Sequence, residues 1–262
     1  MHRSRMAVLA AAALILVLAT PALAITNGVP DEGRHPYVGI LLFQAPGGSA
    51  WLCSGFLVSP RVVVTAGHCT YGATVAQAWF EENILSVKGF PQRGGIEGTP
   101  YTHPGFLIQP QGGLPDYSYR DVGVVELRKP VQLPKTDFAP DHAELPAPAL
   151  VDSLGVKPKV DLVGYGATGK IATVWVGGGV RLIAETELLS GNFAWSSEYV
   201  RISQNPSGAC KGDSGGPVLL HGSHVAIALD SYRASPNTCT DVAYGQRLDI
   251  PAVLEWIKSF MP

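Results

Sequence analysis

Gly212-Asp213-Ser214-Gly215-Gly216-Pro217 is the stretch that decides how the rest of the chain is read. A serine hydroxyl is a weak nucleophile. It needs a base to take its proton and donors to hold the oxyanion that follows. Flanking glycines let the backbone approach a substrate and turn N–H groups toward one point. Outward from this string, Thr65-Ala66-Gly67-His68-Cys69 offers the base. His68 follows an apolar run and is pinned by a cysteine, and imidazole is the usual general base near neutral pH. The other histidines (His2, His35, His103, His142, His221 and His224) lack such a setting. Asp121 opens the apolar run 121–127, where its carboxylate can be buried beside an imidazole. Asp116, Asp137, Asp141, Asp152 and Asp161 also precede Ser214, and their polar or Pro-rich surroundings predict solvated loop residues.

Around these motifs the pattern is that of short strands. Residues 56–58 and 61–65 flank Ser59-Pro60 as a hairpin. Residues 121–127, 160–163, 180–187, 217–220 and 224–229 are further β-branched or apolar runs. With 30 Gly and 21 Pro to make turns, they predict an all-β barrel or sandwich. Residues 91–120 are rich in Gly and Pro and read as a long surface excursion. Residues 129–150 hold five prolines and mark a boundary, placed between 135 and 136. The C-terminus departs from the β pattern. Asp249 is a capping residue and Pro251 suits a first turn. Val253, Trp256, Ile257 and Phe260 then share one face of a helix that packs on the body.

Residues 1–24 read as a secretory signal peptide. Arg3 and Arg5 precede an apolar run, and Ala22-Leu23-Ala24 is a small-x-small cleavage site. The full sequence of 262 residues is 46 % hydrophobic and 15 % charged, enough apolar residue for a sizeable core in the mature chain, 25–262. The full chain carries a formal charge of −2, and losing Arg3 and Arg5 makes it more acidic. That balance gives no reason to expect nucleic acid or an anionic membrane as partner. Cys53, Cys69, Cys210 and Cys239 suit an oxidising compartment, extracellular or periplasmic. Three pairings are possible, and no Cys-x-x-Cys pattern argues for a metal.

TAGHC, D-V-G-V-V-E-L and G-D-S-G-G-P, in this order, resemble the three catalytic blocks of the chymotrypsin/trypsin-like serine proteases. Ile25-Thr26-Asn27-Gly28, Cys53-Ser54-Gly55, His103-Pro104-Gly105-Phe106, Gly164-Tyr165-Gly166 and the C-terminal Trp256-Ile257 resemble further segments of that family. The resemblance implies two perpendicular six-stranded β-barrels and a C-terminal helix, with residues 25–135 in the first barrel and 136–262 in the second. It implies a monomeric secreted endopeptidase without cofactor, acting on polypeptides and open to a protein inhibitor. Ser214 is the implied nucleophile, His68 the general base and Asp121 the group that orients it. The Gly212 and Ser214 N–H groups are the implied oxyanion hole. Cys53–Cys69 and Cys210–Cys239 are the implied disulfides. A freed Ile25 ammonium is implied to pair with Asp213, here generated by signal cleavage itself.

By the same resemblance Gly208 stands at the base of the specificity pocket, with Ser231, Tyr232, Val242 and Tyr244 lining it and Arg233 on the wall beyond Tyr232. No carboxylate stands at Gly208, so the expected residue on the acyl side of the cut bond (P1) is uncharged. A one-position shift would bring Asp241 to the base instead. Two other readings fit parts of this pattern. The string G-D-S-G-G also fits the G-x-S-x-G of an α/β-hydrolase esterase. That fold needs an acid and then a histidine after the serine, and no aspartate lies between Ser214 and His221 or His224. A non-catalytic binding module is the second rival; such relatives lose a triad residue, and here all three residue types stand in place.

Overall fold

Twelve strands of the computed structural model close into two barrels of six. The structure describes residues 25–109, 117–134, 139–167, 169–171, 174–190, 197–234 and 238–262. The segment 1–24, Asp116, Asp137 and the 135/136 boundary lie outside the described residues. The first barrel comprises β1 (Val38–Gln44), β2 (Ala50–Ser59), β3 (Val62–Thr65), β4 (Val75–Trp79), β5 (Ile96–Thr102) and β6 (Gly123–Leu127). The second comprises β7 (Lys159–Gly164), β8 (Leu182–Ser190), β9 (Tyr199–Ile202), β10 (Pro217–Leu220), β11 (Ala226–Arg233) and β12 (Ala243–Arg247). The first runs β1-β2-β3-β6-β5-β4 and closes on β1. The second repeats that path, β7-β8-β9-β12-β11-β10, and closes on β7. Every pairing is antiparallel. Closure leaves no long unpaired edge on either sheet, which is what lets such apolar strands stay soluble.

Inward-facing residues fill both barrels. Phe43, Phe56 and Trp79 in the first, and Leu182, Leu188 and Ile202 in the second, are fully buried. Each such side chain contributes roughly 1.5–3 kcal/mol of transfer free energy. The hairpin about Ser59-Pro60 forms as read, pairing Phe56 with Val64 and Leu57 with Val63. The long excursion 91–120 does not hold throughout. Residues 96–102 are β5, wedged between β4 and β6. Gly98 belongs there because a Cβ would lie 2.7 Å from Val125 Cγ1. Its glycine and proline content disguised a strand whose neighbours supply the packing.

The helix α2 (Pro251–Lys258) has Pro at its first turn and buries Val253, Leu254 and Ile257, with Trp256 and Phe260 packed partly against the core. Asp249 does not cap it; Ile250 is the N-cap residue and no side chain bonds there. The Asp249 carboxylate is buried instead, accepting from Val151 N at 2.8 Å and from Arg247 Nε and Nη2 at 2.9 and 2.8 Å. Asp161 is likewise buried rather than solvated, because it lies on β7 and accepts from Gly222 N at 3.0 Å beside His221.

One buried cation joins the barrels. Arg181, 2 % exposed at the start of β8, donates to Asp31 Oδ2 at 2.8 Å, Phe80 O at 3.0 Å, Val38 O at 3.2 Å and Tyr165 Oη at 3.1 Å. Asp31 also accepts from His35 N at 2.9 Å and pairs with His35 Nδ1 at 2.6 Å. Burial pushes the Asp31 carboxyl up, but His35 and Arg181 outweigh it and hold it below its usual 3.8. That stabilisation is present above pH 3.8 and lost on acidification below it. Arg181→Met is expected to cost about 3–5 kcal/mol in urea unfolding, because it strands a buried carboxylate. A loss under about 1 kcal/mol would show that Arg181 is not the link.

Candidate active site

The catalytic candidates meet where the barrels face each other. His68 sits on the one-turn helix α1 (Gly67–Thr70) that follows β3. Asp121 stands just before β6, fully buried. Its Oδ1 accepts the His68 backbone N–H at 2.7 Å, and its Oδ2 meets His68 Nδ1 at 2.9 Å. Gly67 is needed for this approach, since a Cβ there would lie 2.9 Å from Phe106 and 3.1 Å from Asp121 Oδ1. The second barrel completes the shell. Ser231 Oγ donates to Asp121 Oδ2 at 2.5 Å, and Gln246 Oε1 accepts the Asp121 N–H at 2.8 Å. Gln246 is itself held by Glu198, which pairs with Arg120 at 3.1 Å.

These contacts set the protonation states. Burial pushes the Asp121 carboxyl up, but His68 and Ser231 outweigh it and leave it below its usual value. Burial pushes His68 down, but Asp121 outweighs it and leaves it above 6.5. A proton on Nδ1, facing Asp121, leaves the Nε2 lone pair on the other side of the ring. The His68 side chain keeps 34 % of its surface open, so the ring is reachable.

Ser214 lies on the loop before β10, and the first barrel grips that loop. Ser54 of β2 donates its N–H to Ser214 O at 2.9 Å and its hydroxyl to Gly212 O at 2.9 Å. The Cys53–Cys69 disulfide is formed, and Cys69 Sγ stands 3.6 Å from His68 Nε2 and 3.9 Å from Ser214 O. No hydrogen bond joins Ser214 Oγ to His68 among the described residues; such contacts often close only when substrate arrives. Gly212 adopts φ +100°, and no acceptor among the described residues takes the Gly212 or Ser214 N–H. Two amides therefore remain for an incoming oxyanion.

Asp213 turns away from the cleft. Its Oδ1 accepts from Gly166 N and its Oδ2 from Cys210 N, both at 2.8 Å. A Cβ on Gly166 would stand 2.5 Å from this carboxylate, so glycine is required there. Burial pushes Asp213 up to about 7. Ile25 is fully buried in the second barrel's core, in the same apolar cluster as Ala209, and Thr26 exchanges backbone hydrogen bonds with Gly208.

The expected pocket residues are placed as follows. The Cys210–Cys239 disulfide is formed. Gly208 faces Gln204, whose buried amide fills the space a side chain at 208 would need. Tyr232 and Tyr244 stack at 4.6 Å. Val242 is half-buried, and Asp241 is exposed rather than at the base. Ser231, expected in the pocket, spends its hydroxyl on Asp121. Beside Gly212 opens an apolar cleft of about 680 Å³, lined by Leu42, Trp51, Leu52, Ile84, Leu85 and Phe90 among others. No sequence pattern marks Gln246 as the partner of the Asp121 N–H, or the Ser54 and Ser231 hydroxyls as ties to Gly212 O and the Asp121 carboxylate. His35 and His221 lack the setting of His68, yet each pairs with an aspartate, Asp31 and Asp161.

Comparison with known proteins agrees with this fold. The family model described as Trypsin matches residues 25–257. "Serine protease 1" of Drosophila melanogaster is 27 % identical over 248 residues, covering 89 % of this chain and 84 % of that one. "Trypsin" of Sarcophaga bullata is 26 % identical over 256 residues, covering 89 % and 87 %. Among solved structures, HL collagenase superposes with a TM-score of 0.68 at 17 % identity, covering 90 % of this chain and 97 % of the other. A mutant of human heparin binding protein superposes at 0.64 with 17 % identity, covering 90 % and 95 %.

The raised His68 value has a measurable sign. If His68 acts as the base on Ser214, labelling of Ser214 by a fluorophosphonate should fall as pH drops through a midpoint above 6.5. Asp121→Asn should lower that midpoint and slow labelling by about 10⁴-fold, since an amide favours the wrong imidazole tautomer. An unshifted midpoint in the variant would separate Asp121 from His68.

Proposed function

Since the chain belongs to the trypsin family of serine proteases, we propose that it cuts polypeptides through an acyl-enzyme on Ser214. His68 Nε2 takes the hydroxyl proton as Oγ bonds to the scissile carbonyl carbon. It then gives that proton to the departing amine as the C–N bond breaks. A water molecule repeats the sequence and frees the acid. Asp121 holds the ring and favours its cation while that cation exists. The Gly212 and Ser214 amides carry the oxyanion, worth about 3–4 kcal/mol per donor. The observation that carries this reading is the grip of Asp121 on His68 N and Nδ1, opposite a nucleophile loop with two uncommitted amides.

Substrates with a small or apolar P1 residue fit best. The Gly208 position presents the Gln204 amide and not a carboxylate, and Asp241 faces solvent. Apolar residues beyond the cut bond suit the 680 Å³ cleft beside Gly212. Two disulfides accord with secretion into an oxidising compartment. Signal cleavage before Ile25 would free an ammonium; paired with Asp213, which burial otherwise pushes up to about 7, that cation would restore the carboxylate's charge.

A fluorophosphonate is expected to label the wild type and not Ser214→Ala; a folded wild type that resists labelling would favour a binding module. Ala-, Val- and Leu-P1 reporters should be cut faster than Arg-P1 ones. One residue added before Ile25 should slow turnover by on the order of 100-fold or more, the scale of a lost oxyanion donor. Unchanged turnover in that variant would sink the Ile25–Asp213 pairing.

A further inference from the structure

The end of β11 carries a charge pair that the catalytic scheme does not use. Asp230 lies directly behind the nucleophile loop. Its carbonyl accepts the Gly215 N–H at 2.7 Å, and its own N–H donates to Gly216 O at 2.8 Å. The residue is 3 % exposed, and its Oδ1 has no hydrogen-bond partner among the described residues. Burial pushes the Asp230 carboxyl up, and Arg233 pulls it back. Three residues on, the Arg233 side chain folds back over this carboxylate. Nη2 reaches Asp230 Oδ2 at 3.2 Å and also bonds Cys210 O, while Nε donates to Ala209 O at 3.0 Å.

The guanidinium therefore spans from strand residues 231–233 to the segment 208–210. These are the two walls between which the P1 side chain is expected. Only 11 % of the Arg233 side chain is exposed, so it fills that space and does not wave in solvent. A long cationic side chain entering from a substrate would make the same contacts, two carbonyls and one buried carboxylate, and finds them taken.

We propose that Arg233 is the specificity-determining residue of this enzyme: it occupies the pocket in place of a basic substrate side chain, with Asp230 as the carboxylate it satisfies. The inference rests on the reading of the cleft as a protease site. It names the substrate class more closely: with the pair intact, the pocket is short and neutral and takes small uncharged P1 residues. Without Arg233, an unneutralised carboxylate remains, and the pocket becomes one for Lys or Arg. Without the Asp230 charge, the guanidinium is released and favours Asp or Glu.

The test uses both halves of the pair. Arg233→Gly should raise cleavage of Arg-P1 over Ala-P1 reporters by on the order of 10- to 100-fold relative to wild type, the scale of one charged hydrogen bond. Asp230→Asn should shift preference toward Glu-P1 by a similar factor. Benzamidine, a free planar cation, should leave the wild type uninhibited at about 1 mM and inhibit Arg233→Gly competitively. Ser214 labelling by fluorophosphonate reports separately on the protease reading. If the variants label normally but neither changes its charge preference, the pocket role of Arg233 is overturned while the protease reading stands. Competitive inhibition of the wild type by benzamidine overturns it without any variant, should one fail to fold. A wild type that does not label removes the underlying reading first.

Discussion

The whole arrangement hangs on one buried charge, the Asp121 carboxylate. A carboxylate with no solvent costs several kcal/mol unless its oxygens are filled by donors and a cation can form beside it. Here the first barrel supplies the His68 N–H and Nδ1, and the second supplies the Ser231 hydroxyl. Gln246 of β12 fixes the backbone on which the carboxylate stands. The two barrels therefore cannot shift against each other without unsatisfying this group. The same contacts that fix their mutual placement hold the His68 ring in one orientation and one tautomer.

The nucleophile loop is fixed by the converse route. It belongs to the second barrel, yet Ser54 of β2 holds Gly212 and Ser214 by their carbonyls. Those carbonyls are drawn toward the first barrel, and the Gly212 and Ser214 amides are left without protein acceptors. Asp213 anchors the loop from behind, in a cradle of backbone N–H groups that only glycine at 166 permits. Arg181 adds a third tie between barrels, through the Phe80 and Val38 carbonyls. Each tie is a polar group satisfied across the boundary, and a boundary of this kind resists sliding better than an apolar one, because misregister strands buried donors and acceptors.

Much of this was legible in the sequence, for a physical reason. Reactive groups need particular neighbours within a few residues, and glycine beside serine or cysteine beside histidine records that need locally. Ser214 and His68 stand out in such strings, whereas the two disulfide pairings and the place of Asp121, just before its strand, rested on the family resemblance. The strands with β-branched runs were legible too. β5 was not, because Gly98 and Pro100 are set by the close approach of Val125 on the neighbouring strand β6, a contact that local composition does not encode. Asp249 and Asp161 were misread for the same reason: their partners, Val151, Arg247 and His221, are remote or meaningful only once the strands pair. The repeated strand order of the two barrels leaves no trace as a sequence repeat, since backbone hydrogen bonding fixes the path and side chains fill each interior differently.

The buried charges around His68 also bear on one another. Asp121 and Asp230 both favour its cation, while Arg233 opposes it. A base that must be neutral to act cannot sit beside two uncompensated carboxylates, for each would raise its proton affinity and empty the basic form near neutrality. Asp121 must stay charged to steady the cation once it forms. Asp230 has no such task, and Arg233 offsets part of its field at the ring. The pair that closes the pocket thereby limits how far the His68 value climbs above 6.5. Specificity and basicity draw on the same guanidinium. A basic P1 side chain seated on Asp230 in place of Arg233 would supply a like offset from the substrate side.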